Sequence, residues 1–320
     1  MLNVRDLGVA FGVVQPLSGV SFSVSQGETL GIVGESGSGK SLTAMSVMGL
    51  LPLIGGRITD GSIEFDGADI TALPERAYRK LRGGKIGLIT QNPMTSLDPL
   101  KKIGPQVDDV AKLHLGLSNA DARARTIDIL GTLRIPEPAL ICDRYPHQMS
   151  GGMKQRIVIA MALAADPDLL IADEPTTALD VTVQAQIIRL LDDLVKERNL
   201  ALVLITHDMS VVAQTCDKIV VMYAGRAVEQ GPVEEIFDRP RHPYTQALIA
   251  CIPRGLDDAT RLTGIAGTVP TVLNYPKGCP FHPRCPKAEA ICATDAPDFS
   301  VVGESAAACH FAEVAHAEPA

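Results

Sequence analysis

Four groups of residues in this 320-residue chain have types and spacings that could do chemistry. Gly34-Glu35-Ser36-Gly37-Ser38-Gly39-Lys40-Ser41 fits G-x-x-x-x-G-K-[ST], the Walker A pattern. Its glycines let successive backbone N–H groups turn inward on phosphate oxygens at a helix N-terminus. Lys40 adds a mobile cation for the β- and γ-phosphates, and the Ser41 hydroxyl suits Mg²⁺. An ordinary glycine turn would need neither the lysine nor the hydroxyl. The second group closes an apolar run, Leu169-Leu-Ile-Ala-Asp173-Glu174. There Asp173 could join a magnesium shell and Glu174 could act on the water attacking the γ-phosphate; the plain alternative is a strand that ends in solvated acids. The third, Ser150-Gly151-Gly152-Met153-Lys154-Gln155, opens a helical pattern with a hydroxyl and two glycines, which makes either an anion site or a simple N-cap. The fourth is a set of four cysteines in the last 42 residues, Cys279, Cys285, Cys292 and Cys309.

The elements that must position these groups follow from the apolar pattern. Glu28 to Gly34 is apolar on both faces, as a central parallel strand is, and it leads through Gly37 and Gly39 into a helical stretch from Lys40 to Leu51. Residues 2–10 and 17–24 alternate apolar with small polar residues and predict a half-buried antiparallel β layer. From about residue 98 to 165 the spacing is helical, which predicts an inserted helical subdomain. Apolar strands return at 168–173, 200–206 and 218–222, separated by helical stretches at 181–198 and 209–216; that order argues a parallel sheet with crossovers, an α/β core. Past about Arg254 the chain turns rich in Pro, Gly and Cys, so residues 1–253 are expected to form the nucleotide-binding domain and 254–320 a small irregular module without ordinary elements.

Composition narrows the field. The net charge of −8 argues against a strongly basic nucleic-acid binder, and 46% hydrophobic against 21% charged residues excludes disorder throughout. With 4% aromatics and no Trp there is little material for base-stacking platforms. No uncharged stretch is apolar enough to span a bilayer, and the first residues carry no secretory pattern, so a reducing cytosol is expected and the cysteines should be thiols or metal ligands.

Taken together, the motifs resemble the ATP-binding cassette (ABC) ATPases, whose signature is Leu-Ser-Gly-Gly-Gln or a close variant before a helix. Met149 replaces the leading leucine here, while Ser150, Gly151 and Gly152 are kept. Gln91 looks like the family's Q-loop glutamine, Ala178-Leu179-Asp180 like its D-loop and His207 like its switch histidine; alone, each reads as a turn residue, an N-cap or a strand-end histidine. Phe11 stands where the family places an aromatic on adenine, and a core phenylalanine is the other reading. The resemblance implies a P-loop NTPase fold in which Ser41, Gln91 and Asp173 hold Mg²⁺ and Glu174, His207 and Gln91 serve hydrolysis. It also implies that ATP is sandwiched between the Walker A loop of one subunit and the signature residues Ser150, Gly151, Gly152 and Gln155 of another.

Gln91 to Pro99, Tyr145 to Arg156, His242-Pro-Tyr-Thr-Gln-Ala-Leu248 and Cys279-Pro-Phe-His-Pro-Arg-Cys-Pro286 look like the oligopeptide/dipeptide branch of bacterial importers. That branch implies an ATPase on the cytoplasmic face of the inner membrane. Its partners would be a second, non-identical ABC ATPase, two permeases touched by the residues after Gln91, and an extracytoplasmic binding protein; no nucleic acid is implied. Nickel or another small solute is the alternative cargo. A DNA-repair cassette is disfavoured because no coiled coil separates Lys40 from Ser150. The cysteine spacings of five, six and sixteen residues are wider than zinc knuckles, and four thiolates suit a [4Fe-4S] cluster, with which some members of the branch are associated. Zinc, with His282 or His310 as substitutes, and metal-free thiols are the alternatives.

Overall fold

The computed structural model describes residues 1–177, 179–252 and 264–312. The expected boundary at residues 253 and 254, where the C-terminal module was to begin, and Ala178 of the D-loop pattern lie outside them. The chain divides into two compact units, one of residues 1–23, 29–71 and 206 onward, the other of 24–28 and 72–205.

The first unit begins with β1 (Leu2–Phe11), β2 (Val14–Val24), β3 (Thr29–Val33), α1 (Lys40–Val47), β4 (Arg57–Phe65) and β5 (Ala68–Asp69). Strands β2-β1-β4-β5 form a sheet in that order. β1 and β4 run antiparallel, Leu2 opposite Phe65 and Val4 opposite Ile63, with one face of alternating apolar residues buried. The second unit holds α2 (Glu75–Leu81), β6 (Ile86–Ile89), α3 (Pro93–Ser96), α4 (Ile103–Leu115), α5 (Asn119–Thr132), α6 (Pro138–Ile141), α7 (Gly151–Leu163), β7 (Leu169–Asp173), α8 (Val181–Arg198) and β8 (Ala201–Thr206). Its strands run β8-β7-β6, all parallel, as their apolar runs require. The chain then returns to the first unit through α9 (Met209–Thr215), β9 (Lys218–Tyr223), β10 (Arg226–Pro232), α10 (Val233–Asp238), α11 (Pro243–Ala250), α12 (Ala290–Thr294), β11 (Ser300–Val302) and β12 (Ser305–Ala307).

The expected parallel strands, antiparallel layer and helical stretch are all present. The Cys-rich tail differs from expectation, since it contains ordinary strands. β12 pairs antiparallel with β10, and β11 with β12, so the tail extends a sheet ordered β11-β12-β10-β9-β3. Three-residue strands of Ser, Ala and Val have no periodicity to read. They form because Ala306 and Ala307 are small enough to be buried against β10.

Helix α8 shows how local sequence sets the elements that carry the site. Asp180 caps it by accepting from Val183 N–H at 3.0 Å, Lys196 and Arg198 complement its C-terminal dipole, and Asn199 ends it in the left-handed conformation at φ 53°. Its apolar stripe of Ile187, Ile188, Leu190, Leu191, Leu194 and Val195 is buried. In the helical segment, α4 and α5 are joined through one buried carboxylate: Asp108 accepts from Arg123 Nε at 3.0 Å, Arg123 Nη2 at 2.8 Å and Thr126 Oγ1 at 2.5 Å. Asp108→Ala strands a partly exposed guanidinium and a buried hydroxyl, a loss of about 2 kcal/mol. Amide hydrogen exchange should then quicken in α4 and α5 and stay unchanged in β1 and β4.

Candidate functional site

The Walker A turn is built by steric necessity. Gly34 follows the fully buried β3 with φ 153°, and a Cβ there would lie 2.2 Å from the Met222 carbonyl oxygen. Gly39 has φ 102°, and its Cβ would lie 2.4 Å from Leu17 Cδ2. Only glycine fits at either place. Gly225 N–H donates to the Ser38 carbonyl at 3.0 Å and Ser18 N–H to the Gly225 carbonyl at 3.0 Å, which fixes the turn from two sides. Gly39 is also the N-cap of α1, and a glycine supplies no side-chain acceptor to the first-turn amides; that turn contains no acidic residue either. The Ser38 hydroxyl is buried without a hydrogen-bond partner among the described residues. Lys40, 5% exposed, donates from Nζ to the carbonyls of Gly34 at 2.8 Å and Glu35 at 3.1 Å. A helix N-terminus without a side-chain cap, a buried hydroxyl without a partner among the described residues and a lysine lying over its own loop together fit a polyphosphate. Ser41 is exposed in the first turn of α1; Ser36 and Gly37 are exposed on the loop. Phe11, at the end of β1, lies half-buried with its ring over Gly56, where a Cβ would come within 2.7 Å of Cζ.

In the second unit β7 delivers Asp173 and Glu174 at its C-terminal end, both half-buried. Glu174 sits at φ 46°, left-handed backbone in a non-glycine residue, held there by its N–H bond to the Ile205 carbonyl at 2.9 Å. Its Oε2 accepts from Gln91 Nε2 at 2.9 Å and from Thr177 Oγ1 at 2.8 Å. Two residues that sequence spacing could only put in order are therefore hydrogen-bonded to each other. Thr177 has no motif of its own to announce it. Gln91 and Thr177 both hold the carboxylate through neutral donors.

Ser150 is the N-cap of α7, accepting from Met153 N–H at 3.3 Å, and it is exposed together with Gly151. A Cβ on Gly152 would lie 2.7 Å from Val183 Cγ1, so the glycine lets α7 begin hard against the first turn of α8. Gln155 departs from expectation. It is wholly buried, with neither side-chain atom partnered among the described residues, so it cannot reach a nucleotide on another subunit. It lies more than one turn inside a helix whose inward face runs through Lys154, Gln155, Ile157 and Val158. His207 is exposed directly after β8, and Asp208 beside it caps α9 by accepting from Ser210 N–H at 2.8 Å. Asn92 caps α3 after Gln91 by accepting from Met94 N–H at 2.9 Å, and Met94 and Leu100 are exposed at 61% and 86%.

The four tail cysteines line one cavity of about 90 Å³, together with His282, His310 and Phe311. All four are free thiols. Burial pushes Cys279 up to about 11 and raises Cys285 and Cys309 as well. Among the described residues no three or more His, Cys, Asp or Glu stand close enough to hold a single metal ion, so the zinc alternative finds no site. For a cluster the described residues show only that the four thiols share the lining of one cavity.

The pattern of the family described as "ABC transporter" matches residues 17–177, and that of "Oligopeptide/dipeptide transporter, C-terminal region" matches residues 228–292. The dipeptide transport ATP-binding protein DppD of Escherichia coli K12 is 47% identical over 316 residues, 97% of this chain and 96% of that protein. The chain belongs to the ABC transporter family. The oligopeptide transport ATP-binding protein OppD of the same organism is 50% identical over 301 residues, 93% of this chain and 89% of its own. A solved structure described as a dimeric, post-hydrolysis state of the ATP-binding cassette MJ0796 bound to ADP and phosphate matches with a TM-score of 0.65 and 28% identity, covering 73% of this chain and 99% of that one. The ABC cassette has the P-loop fold and is an ATPase coupled to transport. Among the described residues no helix is long and apolar enough to cross a membrane. Lys40→Ala is expected to weaken MgATP binding by about 2 kcal/mol, roughly thirtyfold, in a calorimetric titration.

Proposed function

We infer that this ABC subunit hydrolyses ATP to power the uptake of dipeptides or oligopeptides through partner permeases. The observation that carries the reading is the union, in one chain, of the cassette with an oligopeptide/dipeptide C-terminal region at residues 228–292. Near-full-length likeness to DppD and OppD supports it.

The chemistry follows from the side chains. The Walker A amides and Lys40 bind the β- and γ-phosphates. The hard oxygen donors of Ser41, Asp173 and Gln91 suit the Mg²⁺ that accompanies ATP, which neutralises charge as the terminal bond breaks. Glu174 takes a proton from water as its oxygen attacks the γ-phosphorus; the bond to the bridging oxygen breaks, and ADP and phosphate leave. Gln91 and Thr177 aim that carboxylate, and His207 faces the γ-phosphate. Ser150 and the first amides of α7 meet the ATP of a facing subunit, so nucleotide closes the pair and hydrolysis opens it. Leu179-Asp180 lies in the same interface.

The partners are a second, non-identical ATPase, two permeases and an extracytoplasmic binding protein, with exposed Met94 and Leu100 facing the permeases. Such an assembly holds the chain at the cytoplasmic face of the inner membrane. Cys279, Cys285, Cys292 and Cys309 would hold a [4Fe-4S] cluster whose contribution is to staple the tail.

Glu174→Gln should bind ATP yet release phosphate at least ~100-fold more slowly; wild-type turnover would remove Glu174 from its role. Protein purified without oxygen should carry iron and sulfide in equal amounts, both lost when Cys285 and Cys292 become Ser; metal-free protein would rule out the cluster. The transport reading itself is tested by peptide uptake into vesicles carrying the whole complex, expected with ATP and abolished by Lys40→Ala.

A further inference from the structure

Two segments that the phosphate chemistry leaves unexplained, His242 to Leu248 and Cys279 to Pro286, meet at one residue of the Walker A loop. That residue is Glu35. Its N–H donates to Tyr244 Oη at 2.9 Å, and its carbonyl accepts from Lys40 Nζ at 3.1 Å. Its carboxylate accepts two parallel bonds from Arg284, Nη1 to Oε1 at 3.0 Å and Nη2 to Oε2 at 3.1 Å. Such a fork-to-carboxylate pair fixes orientation as well as charge.

Both partners of Glu35 are themselves immobilised. The Arg284 side chain is 5% exposed. It also donates to Tyr223 Oη at 3.2 Å, to the Ile265 carbonyl at 3.3 Å and, through Nε, to the Ala266 carbonyl at 2.8 Å. Its guanidinium carbon lies 5.7 Å from the Tyr223 ring centre and 5.9 Å from that of Phe281. Tyr223, Tyr244 and Phe281 pack on one another with ring centres 4.7 to 5.3 Å apart. Tyr244 starts α11, whose entry is pinned by the buried Glu229 carboxylate accepting from the N–H groups of Arg241 at 2.6 Å and His242 at 2.9 Å. The neutral ring of His242 then caps the helix, accepting from Tyr244 N–H at 3.0 Å.

An acid in a loop built for a polyphosphate is electrostatically wrong unless it is cancelled and held. We propose that Arg284 is a positioning residue for the phosphate loop: it neutralises and orients Glu35, so that the C-terminal module sets the shape of the ATP half-site. This rests on the reading that the loop binds ATP. Arg284 is not a catalytic residue, because it acts through Glu35.

The test is MgATP titration of the full-length chain, with steady-state hydrolysis measured in the assembled complex. Arg284→Ala should raise the Kd and KM for MgATP about tenfold while kcat stays within about twofold, since ground-state placement is lost and the hydrolytic residues are untouched. Arg284→Lys, with the charge but not the fork, should fall between. Adding Glu35→Gln to Arg284→Ala should recover part of the affinity, because the bare carboxylate is gone; a purely structural arginine predicts no such recovery. If Arg284→Ala does not fold, Arg284→Lys decides, with a Kd above the wild-type value expected. Unchanged Kd in the arginine variants, a fall in kcat at constant KM, or no recovery in the double variant overturns the proposal while leaving the ATPase reading intact. A wild-type chain that binds no MgATP would remove both.

Discussion

The structure depends on one backbone constraint, which is that the chain must leave β3 and enter α1 with its amide hydrogens turned toward a common point. Two positions in that turn tolerate no side chain. Gly34 has the Met222 carbonyl 2.2 Å from where its Cβ would be, and Gly39 has Leu17 at 2.4 Å. The surroundings are therefore as closely specified as the loop itself. β9 supplies Met222, the start of β2 supplies Leu17, and Gly225 after β9 bonds to the Ser38 carbonyl. A loop walled in by backbone on two sides keeps its shape without a ligand, and pre-formed donors need no reorganisation when charge arrives.

The C-terminal segments read differently in that light. A tail with few periodic apolar residues would be expected to hang from the core as an accessory. Instead Phe281, Cys279 and Cys292 belong to the same buried cluster as Val33, Tyr223 and Tyr244, and Arg284 reaches the loop itself. Whatever steadies the cysteine cavity therefore acts one residue away from the arginine that grips Glu35. Local packing of this kind transmits small displacements because close-packed interiors do not deform smoothly.

Much of this was legible in the residues. Walker A and the apolar strands at 168–173 and 200–206 could be placed because each has a strong local cause, a fixed glycine-lysine spacing or an unbroken apolar run. Helix α8 shows the same: its Asp180 cap and apolar stripe put it at Val181–Arg198, the range its periodicity predicts. What escaped has no local cause. β11 and β12 are three residues each and exist only through pairing with β10. The inward turn of Gln155 is set by which face of α7 is buried, and a run that is apolar nearly all round does not say which. Tyr244 and Arg284 matter through contacts with Glu35, 209 and 249 positions away, which no spacing rule encodes. Glu35 is read in the sequence only as part of the Walker A pattern, and its bonds to Lys40, Tyr244 and Arg284 became visible only once the chain was folded.

In the proposed mechanism the Walker A loop and the exposed Ser150 at the head of α7 each meet phosphate from one side only. The account thus requires that ATP be completed by a second subunit. Sedimentation velocity of the hydrolysis-deficient chain with the proposed second ATPase, at matched protein concentration with and without MgATP, tests this most directly. The account predicts a dimer that forms only with MgATP and is lost when Ser150 is replaced by Arg. Monomers that bind MgATP to saturation and never associate would contradict it.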